Sequence, residues 1–516
     1  GDKLEVGDEG FALKPGESIE LPDDIHVLWQ NRLDRLLSNY GAEQLQCLEI
    51  AAALGVEVSL VEWLGACKHH SLQFDHLLLE KLFEQALISN TEEGWVFAHG
   101  LLRESLERRA REEGRWQSLN RACAEMIVGL YNPTRRDYHA RYARHLIEAG
   151  ELERALEPML EAARSMMKRS ELHGALELLD ERDAILNQLD LPLGDSRQGQ
   201  GMVLRSKILD EQGHYLEARR WAASVVADAV KYGWRQLYIE ANIQCAWATF
   251  HRGATGEAEG MFADARRALN DLPEALHGAY LLRIEMGMAR LAQRRGELEK
   301  SRELFLSARE RAVILDDQLA LATCLNGLGD VARQDEDFDD ARRYAERALA
   351  LTEEIGNFVL IADCTNDLAE IERHEGALNL ARAHAERAIA LYESVGSDQS
   401  LRVQRNLGFI ALGQRQYTEA RGIFESLAEQ FNQTHDYGQL ALVLTGLIPC
   451  FAHAGEWENA SEFLDRARHL LEKTQRFDQD VAFACHMVVE LAARASQDGI
   501  ALRAAALAGA HAPTST

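Results

Sequence analysis

From residue 213 onward, small and apolar residues return in one phrase: a Gly or small residue, an Ala or Ser five positions later, then apolar or small residues four and seven positions further on. EQGHYLEARRWAASVV carries it at Gly213, Ala218, Ala222 and Val225, HRGATGEAEGMFADA at Gly253, Ala258, Phe262 and Ala265, and RRGELEKSRELFLSA at Gly296, Ser301, Phe305 and Ala308. DEDFDDARRYAERA, HEGALNLARAHAERA, RQYTEARGIFESL and HAGEWENASEFLDRA continue it. The anchoring residues Ala218, Ala258, Ser301, Ala341, Ala381, Ala420 and Ala460 are thus about forty residues apart. Spacings of four and seven lie on one face of a helix. Gly supplies the tight or left-handed backbone between antiparallel helices, and the small anchor lets the second helix approach the first. The pattern predicts an all-α chain, an α-solenoid of about 40-residue helix pairs. An earlier copy, AGELERALEPMLEAA, has Gly150, Ala155, Met159 and Ala162. Between residues 163 and 200 the regularity lapses into one amphipathic helix, ELHGALELLDERDAIL, and LDLPLGDSRQGQG, whose Pro and Gly suit a turn or loop.

Before the repeats the periodicity changes. Residues 26–38, 42–54, 60–67 and 72–85 each read as a helix, LIS, NTEEG and WVFAH as strand, tight turn and strand, followed by two helices through about residue 131. Three or four helices closed by a small β-hairpin describe a winged-helix domain. Residues 1–24 contain FALKPGESIELP, a short hairpin around PGE leading into a helix start at Pro22, too small to fold alone. The expected organisation is an N-terminal hairpin or linker over 1–24, a winged-helix-like domain over 25–132, a helical connector with the first repeat-like pair over 133–200, and the superhelix over 201–510.

Composition narrows the function. A net charge of −27 over 516 residues opposes nonspecific binding to DNA or anionic membrane, which draws on clustered Lys and Arg. Eight cysteines form no CxxC pair, so a reduced, cytoplasmic setting is expected. Cys324 and Cys364 are forty residues apart, the interval of the repeat, as buried structural thiols would be. No run of about 18 apolar residues predicts a membrane span. The chain starts at Gly1 with no charged-then-apolar signal segment, as a piece of a longer protein would.

The repeat phrases resemble the tetratricopeptide repeat, in its longer-helix variety, over roughly residues 200–510. The order LPDDIHVLWQNRLDRL, CLEIAAALG, LISNTEEGWVFAHGLLRESL and then repeats resembles the region after the nucleotide domain in the signal-transducing NTPases called STAND, which include bacterial regulators and kinase- or cyclase-fused proteins with tetratricopeptide sensors. The resemblance spans essentially everything after residue 20. Within it, AHGLLRESL is similar to the Met-His-Asp motif of plant immune receptors, which puts His99 on the histidine that contacts the β-phosphate of ADP in the closed state. Ala98 stands where that family has Met and Gly100 where it has Asp, which weakens the hydrogen-bond arrangement. The alternative for His99 is a helix-start residue that fixes the wing against the next helix.

No GxxxxGK[ST] occurs, and no strand ends in paired acids within an α/β pattern, so this chain alone is expected neither to bind ATP tightly nor to hydrolyse it, and no cofactor is implied. Cys67, His69, His70 and His76 cluster in CKHHSLQFDH, but their spacing matches no zinc site and a polar loop is the better reading. A winged helix can read DNA, yet LLEKLFEQAL lacks the basic density for phosphate contact. RESLERRAREEGR is Arg-rich, with Glu interleaved for i,i+4 pairing. Aligning the first helix of each pair by the shared Gly puts Trp247, Arg283, Arg290, Asn326, Asp330, Arg333, Asn366, Glu370, Arg373, Arg402 and Arg405 on the concave groove. Guanidinium groups there suit an acidic peptide or phosphorylated ligand, or else pair with Asp and Glu of adjacent repeats. The leading expectation is a non-catalytic sensor of a STAND-like ATPase, binding a protein or small-molecule trigger in the groove and relaying it through the winged helix to an upstream nucleotide-binding domain. A constitutive scaffold for protein assembly and a DNA-binding transcriptional regulator are the competing readings.

Overall fold

The computed structural model describes the backbone of residues 4–7, 10–13 and 23–511 and the side chains of residues 29–511. The chain divides into two compact units, residues 1–162 with 185–189, and residues 163–184 with 190–516.

In the first unit, β1 (Leu4–Gly7) pairs antiparallel with β2 (Gly10–Leu13), Leu4 opposite Leu13. The hairpin expected around PGE lies outside the described residues. Then come α1 (Asp23–Leu37), α2 (Ala42–Leu54), β3 (Glu57–Ser59), α3 (Leu60–His69), α4 (His76–Glu84), β4 (Ile88–Asn90), β5 (Gly94–Phe97), α5 (Gly100–Glu112), α6 (Trp116–Leu130) and α7 (Tyr138–Glu148). Helix α2 is apolar on most sides and buried accordingly; its one buried carboxylate, Glu49, is tolerated at 0% exposure because Arg115 reaches it at 2.5 and 2.9 Å. The sheet has the antiparallel order β3-β5-β4. Three-residue β3 carries too few positions for an alternating signal, and the sequence reading lacks it. Gly94, expected within the turn, opens β5 opposite Ser59, where a Cβ would stand 2.1 Å from the Val58 carbonyl oxygen. Only glycine permits that approach. Helix α4 starts at His76 rather than near 72 because Asp75 caps it, accepting a hydrogen bond from Leu77 N at 2.9 Å. Trp63 meets Trp95 edge to face in the core, with half-buried Phe74 tilted against it, and Trp63 Nε1 donates to the Cys47 carbonyl at 2.6 Å. On α5 the interleaved pairs form, Arg103–Glu107 at 3.2 Å and Arg108–Glu112 at 2.8 Å.

The boundary between units falls within α8 (Leu152–Lys168) and α9 (Leu172–Gln188). Inner helices α10 (Ser196–Glu211), α12 (Arg235–His251), α14 (His277–Arg294), α16 (Gln318–Gln334), α18 (Phe358–His374), α20 (Ser400–Gly413), α22 (Tyr437–His453) and α24 (Gln479–Arg494) alternate in the second unit with outer helices. These are α11 (Tyr215–Tyr232), α13 (Thr255–Ala268), α15 (Leu298–Ile314), α17 (Phe338–Ile355), α19 (Leu378–Ser394), α21 (Tyr417–Gln433), α23 (Trp457–Thr474) and α25 (Asp498–Ala510). All seven anchoring residues are fully buried, at 0% exposure. Gly213, Gly253, Gly296, Gly376 and Gly455 take positive φ between +78° and +90°; in the two copies without Gly, Glu336 and Arg415 occupy that region at +61° and +60°. The phrase's fourth-position aromatics act as knobs over glycines of the next inner helix: a Cβ on Gly287 would lie 2.1 Å from the Phe262 ring, and one on Gly327 2.3 Å from Phe305. The 189–201 stretch is shorter as a loop than expected, because α10 already begins at Ser196. Gly199 lies within that helix, where an added Cβ would approach Trp234 to 2.9 Å.

The solenoid coils tightly enough for successive turns to touch. The carbonyl of Glu211, at the C-terminus of α10, accepts from Ser397 Oγ at 2.7 Å and Gln399 Nε2 at 2.9 Å, 186 and 188 residues later. The Lys168 carbonyl accepts from Asn357 Nδ2 at 2.8 Å, 189 residues later, and the Gln334 carbonyl from Gln479 Nε2 at 2.8 Å. Arg294 O accepts from Phe477 N at 2.7 Å. Helix C-terminal carbonyls lack partners within their own helix; here the following turn of the superhelix supplies them.

Candidate ligand cavity

Where successive turns meet, the concave side of the second unit holds a cavity of about 370 Å³ that is partly open to solvent. Nine of the eleven groove residues named from sequence line it: Trp247, Arg290, Asn326, Asp330, Arg333, Asn366, Glu370, Arg402 and Arg405. Arg283 lies off its wall, half-buried on α14, where burial lowers its pKa despite Glu240 nearby. Arg373 is a correction: it is 7% exposed, its Nη2 donates to Asp480 at 2.6 Å and its Nε to Asn406 at 2.9 Å, so it holds α18 to α24 and does not face the cavity.

Pairing across adjacent repeats accounts for most of the arginines. Arg290 meets Asp330 at 2.6 Å, Arg333 meets Asp330 at 3.1 Å and Glu370 at 3.0 Å, and Arg405 meets Glu370 at 3.7 Å. Arg402 lies 3.5 Å from Asp363, Arg476 lies 3.1 Å from Asp478, and His251 lies 3.1 Å from Asp210. Burial works against the Asp330 charge, but Arg333 and Arg290 together hold its carboxyl below the ordinary range. Asp367 shows the opposite balance: burial, with Asp330 and Glu370 beside it, pushes its pKa well up, and it accepts from Asn326 Nδ2. Arginine frequency alone therefore says little about a ligand. What remains open is more informative. Arg294 has no carboxylate partner; its guanidinium lies 3.6 Å over the Phe250 ring and donates to the Phe250 carbonyl at 2.5 Å. Glu211 Oε2, Gln334 Oε1 and the Nε atoms of Arg333, Arg405 and Arg476 are buried without a hydrogen-bond partner. Unmet buried polar atoms each cost about 1–3 kcal/mol unless water or a ligand meets them.

Asp210, Glu211, Arg294, Asp363 and Arg476 reach the cavity unannounced by the repeat alignment. Asp210, Glu211 and Arg294 sit at helix ends and Arg476 in an inter-turn loop, whereas Asp363 lies within α18, forty residues after Thr323, which also lines the cavity. The first Arg of RRG, two positions before Gly296, was the available signal for Arg294.

A family model described as tetratricopeptide repeat matches residues 280–354, which comprise α14 to α17 apart from their outermost turns. The fold is similar to that of a Rap protein solved in complex with Competence and Sporulation Factor, at 13% identity and a TM-score of 0.51, covering 69% of this chain and 97% of that one. A Signal Transduction ATPase with Numerous Domains (STAND) protein with a tetratricopeptide repeat sensor, from Pyrococcus horikoshii, aligns over 96% of this chain and 65% of its own at 13% identity, with a TM-score of 0.37. A Rap conjugation gene regulator of plasmid pLS20, in complex with the Phr* peptide, aligns at 15% identity over 68% of this chain and 93% of its own, with a TM-score of 0.45. No curated protein matches by sequence. The second unit has a tetratricopeptide-type helical repeat fold.

A larger hollow of about 1010 Å³ between α23 and α25 has Arg295 paired with Glu259 at 2.7 Å and Arg503 with Asp465 at 2.9 Å. In the first unit, His99 is exposed at the start of α5, makes no side-chain cap, and lies 5.4 Å from the Trp29 ring. Cys67 is buried while His69 is exposed, and among the described residues no group of three or more His, Cys, Asp or Glu side chains can hold a metal ion. No described helix is long and apolar enough to cross a membrane.

Proposed function

We propose that the chain is the non-catalytic sensor portion of a STAND-like signalling protein, whose solenoid takes a short peptide in its concave-side cavity. The observation that carries this reading is the cavity wall, where nine residues singled out by repeat alignment converge beside buried polar atoms that no protein group meets. Its volume falls within the about 300–1,000 Å³ of small-ligand sites. The Rap protein of similar fold was solved in complex with a factor, which supports ligand binding by this type of fold. Residues 25–132 are the winged-helix relay in this reading, supported by helices α1 to α4, the three-stranded sheet that β3 forms with the later β4 and β5, and α5. His99, exposed at the head of α5, is then the residue offered to the nucleotide of an upstream domain. A trigger shifts the switch only by binding its open state more tightly than its closed state.

The test is a pool of random peptides of about three to eight residues, incubated with the full chain and resolved by native mass spectrometry. Retained peptides, lost when Asn366→Trp fills the cavity, are the expected result. An unoccupied chain would overturn the sensor reading and favour a constitutive scaffold.

A further inference from the structure

Among the charged residues that line the cavity, all but two have an oppositely charged or side-chain hydrogen-bonding partner. The two are Arg294, at the C-terminus of α14, and Glu211, at the C-terminus of α10. They differ in sign, and no hydrogen bond joins them. Helix α12 packs between α10 and α14, so the two sites lie on next-but-one helices of the inner wall. Packed helix axes stand about 8–10 Å apart. After the reach of both side chains, the remaining gap is one that about two to four extended residues span at ~3.4 Å each.

We propose, building on the peptide reading above, that the cavity recognises a short linear ligand by its two free ends, with the carboxylate on Arg294 and the ammonium on Glu211. The arrangement selects a zwitterion because each end of the ligand satisfies a group that the protein leaves unmatched. Arg294 brings a planar fork suited to a carboxylate, steadied by its contact with Phe250 and its bond to the Phe250 carbonyl. Burial first, then Arg476 and Arg402, bring its pKa down to about 9 against Asp436 and Tyr215, and the two neighbouring guanidinium groups add to the pull on an anion. Glu211 offers Oε2, buried and without a partner. The charged groups that face it are Asp210 beside it, Asp363 from α18 and Lys207 one turn back; burial first, then both acids, push its carboxyl up to about 8, against Lys207. Near neutral pH it therefore holds a proton in the empty cavity. An arriving ammonium stabilises the carboxylate, and that proton leaves to solvent.

The experiment uses the full chain and random tripeptides in three forms, free, N-acetylated and C-amidated. Free tripeptides are expected to bind, and capping either end to weaken them about tenfold or more, the loss of one charge-assisted bond. Glu211→Gln should abolish the distinction between free and acetylated ends while keeping that between free and amidated ends; Arg294→Gln should do the reverse. Calorimetry of a retained tripeptide in Tris and in phosphate near neutral pH should show release of nearly one proton by the wild-type chain and none by Glu211→Gln. Capped peptides that bind wild-type protein as well as free ones would overturn the end-recognition assignment and leave the peptide reading standing. Failure of every pool would sink both. Because the capped forms are tested on the unaltered protein, the outcome does not depend on either variant folding.

Discussion

Outer and inner helices of the same solenoid bury very different shares of their residues. Outer α17 buries only Ala341, Ala345, Ala348 and Thr352, one narrow face, and gives the rest to solvent. Inner α16 buries ten of its residues on all sides, Asn326 and Arg333 among them, and α22 buries fifteen. An outer helix is thus specified by small residues at fixed spacing, whereas an inner helix is sandwiched between its neighbours and the cavity. Polar residues on the inner side survive burial by pairing across repeats, and function is left to the few that do not pair.

The strongest way to break that contrast is Arg373→Met. It strands Asp480, whose side chain is 5% exposed, and is expected to cost about 3–5 kcal/mol in urea unfolding; adding Asp480→Leu should restore most of the loss. Equal losses in the single and double variants would show that the pair contributes packing alone. On the outer seam, Gly287→Ala should cost about 1–3 kcal/mol, since its Cβ would sit 2.1 Å from the Phe262 ring, and Phe262→Leu in the same chain should relieve part of that strain.

A gentler probe is pH. Glu211 rises from 4.5 to about 8 on folding, so the folded chain holds a proton that the unfolded chain has lost. Stability from this group is present below about pH 4.5 and falls as pH rises toward 8. Lys207 falls from 10.5 to about 7, chiefly by burial, so the unfolded chain binds the extra proton and stability rises with pH between those values. Melting curves should therefore show Glu211→Gln gaining on wild type between pH 5 and 8, and Lys207→Met gaining most below pH 7. A gain for Glu211→Gln that is the same at every pH would contradict the assignment. The smallest effect is His99→Ala, expected within about 0.5 kcal/mol of wild type because His99 is exposed and uncapped; a loss of several kcal/mol would make it structural.

Sequence legibility follows from the same contrast. Ala218 through Ala460 are readable because a helix period and a forty-residue repeat reinforce each other, and every one is buried. Nine groove positions follow from that register, since inner helices keep phase with outer ones. Arg373 escapes it because α24 returns to cover its face, a contact set by superhelical pitch. Glu211 and Arg294 escape for the same reason: partners 186 or more residues away on the next turn place Glu211 at the cavity, and no local pattern encodes the pitch. Strand β3 was too short to alternate, and Gly199 was read as loop although its missing side chain makes room for Trp234.

The central claim is that the unmatched groups of the inner wall form the ligand site. A crystal structure of the full chain grown with a retained tripeptide tests it most directly. The account predicts the peptide inside the cavity, its carboxylate on Arg294 and its amine at Glu211. A peptide seated between α23 and α25, or on the first unit with the cavity empty, would contradict it.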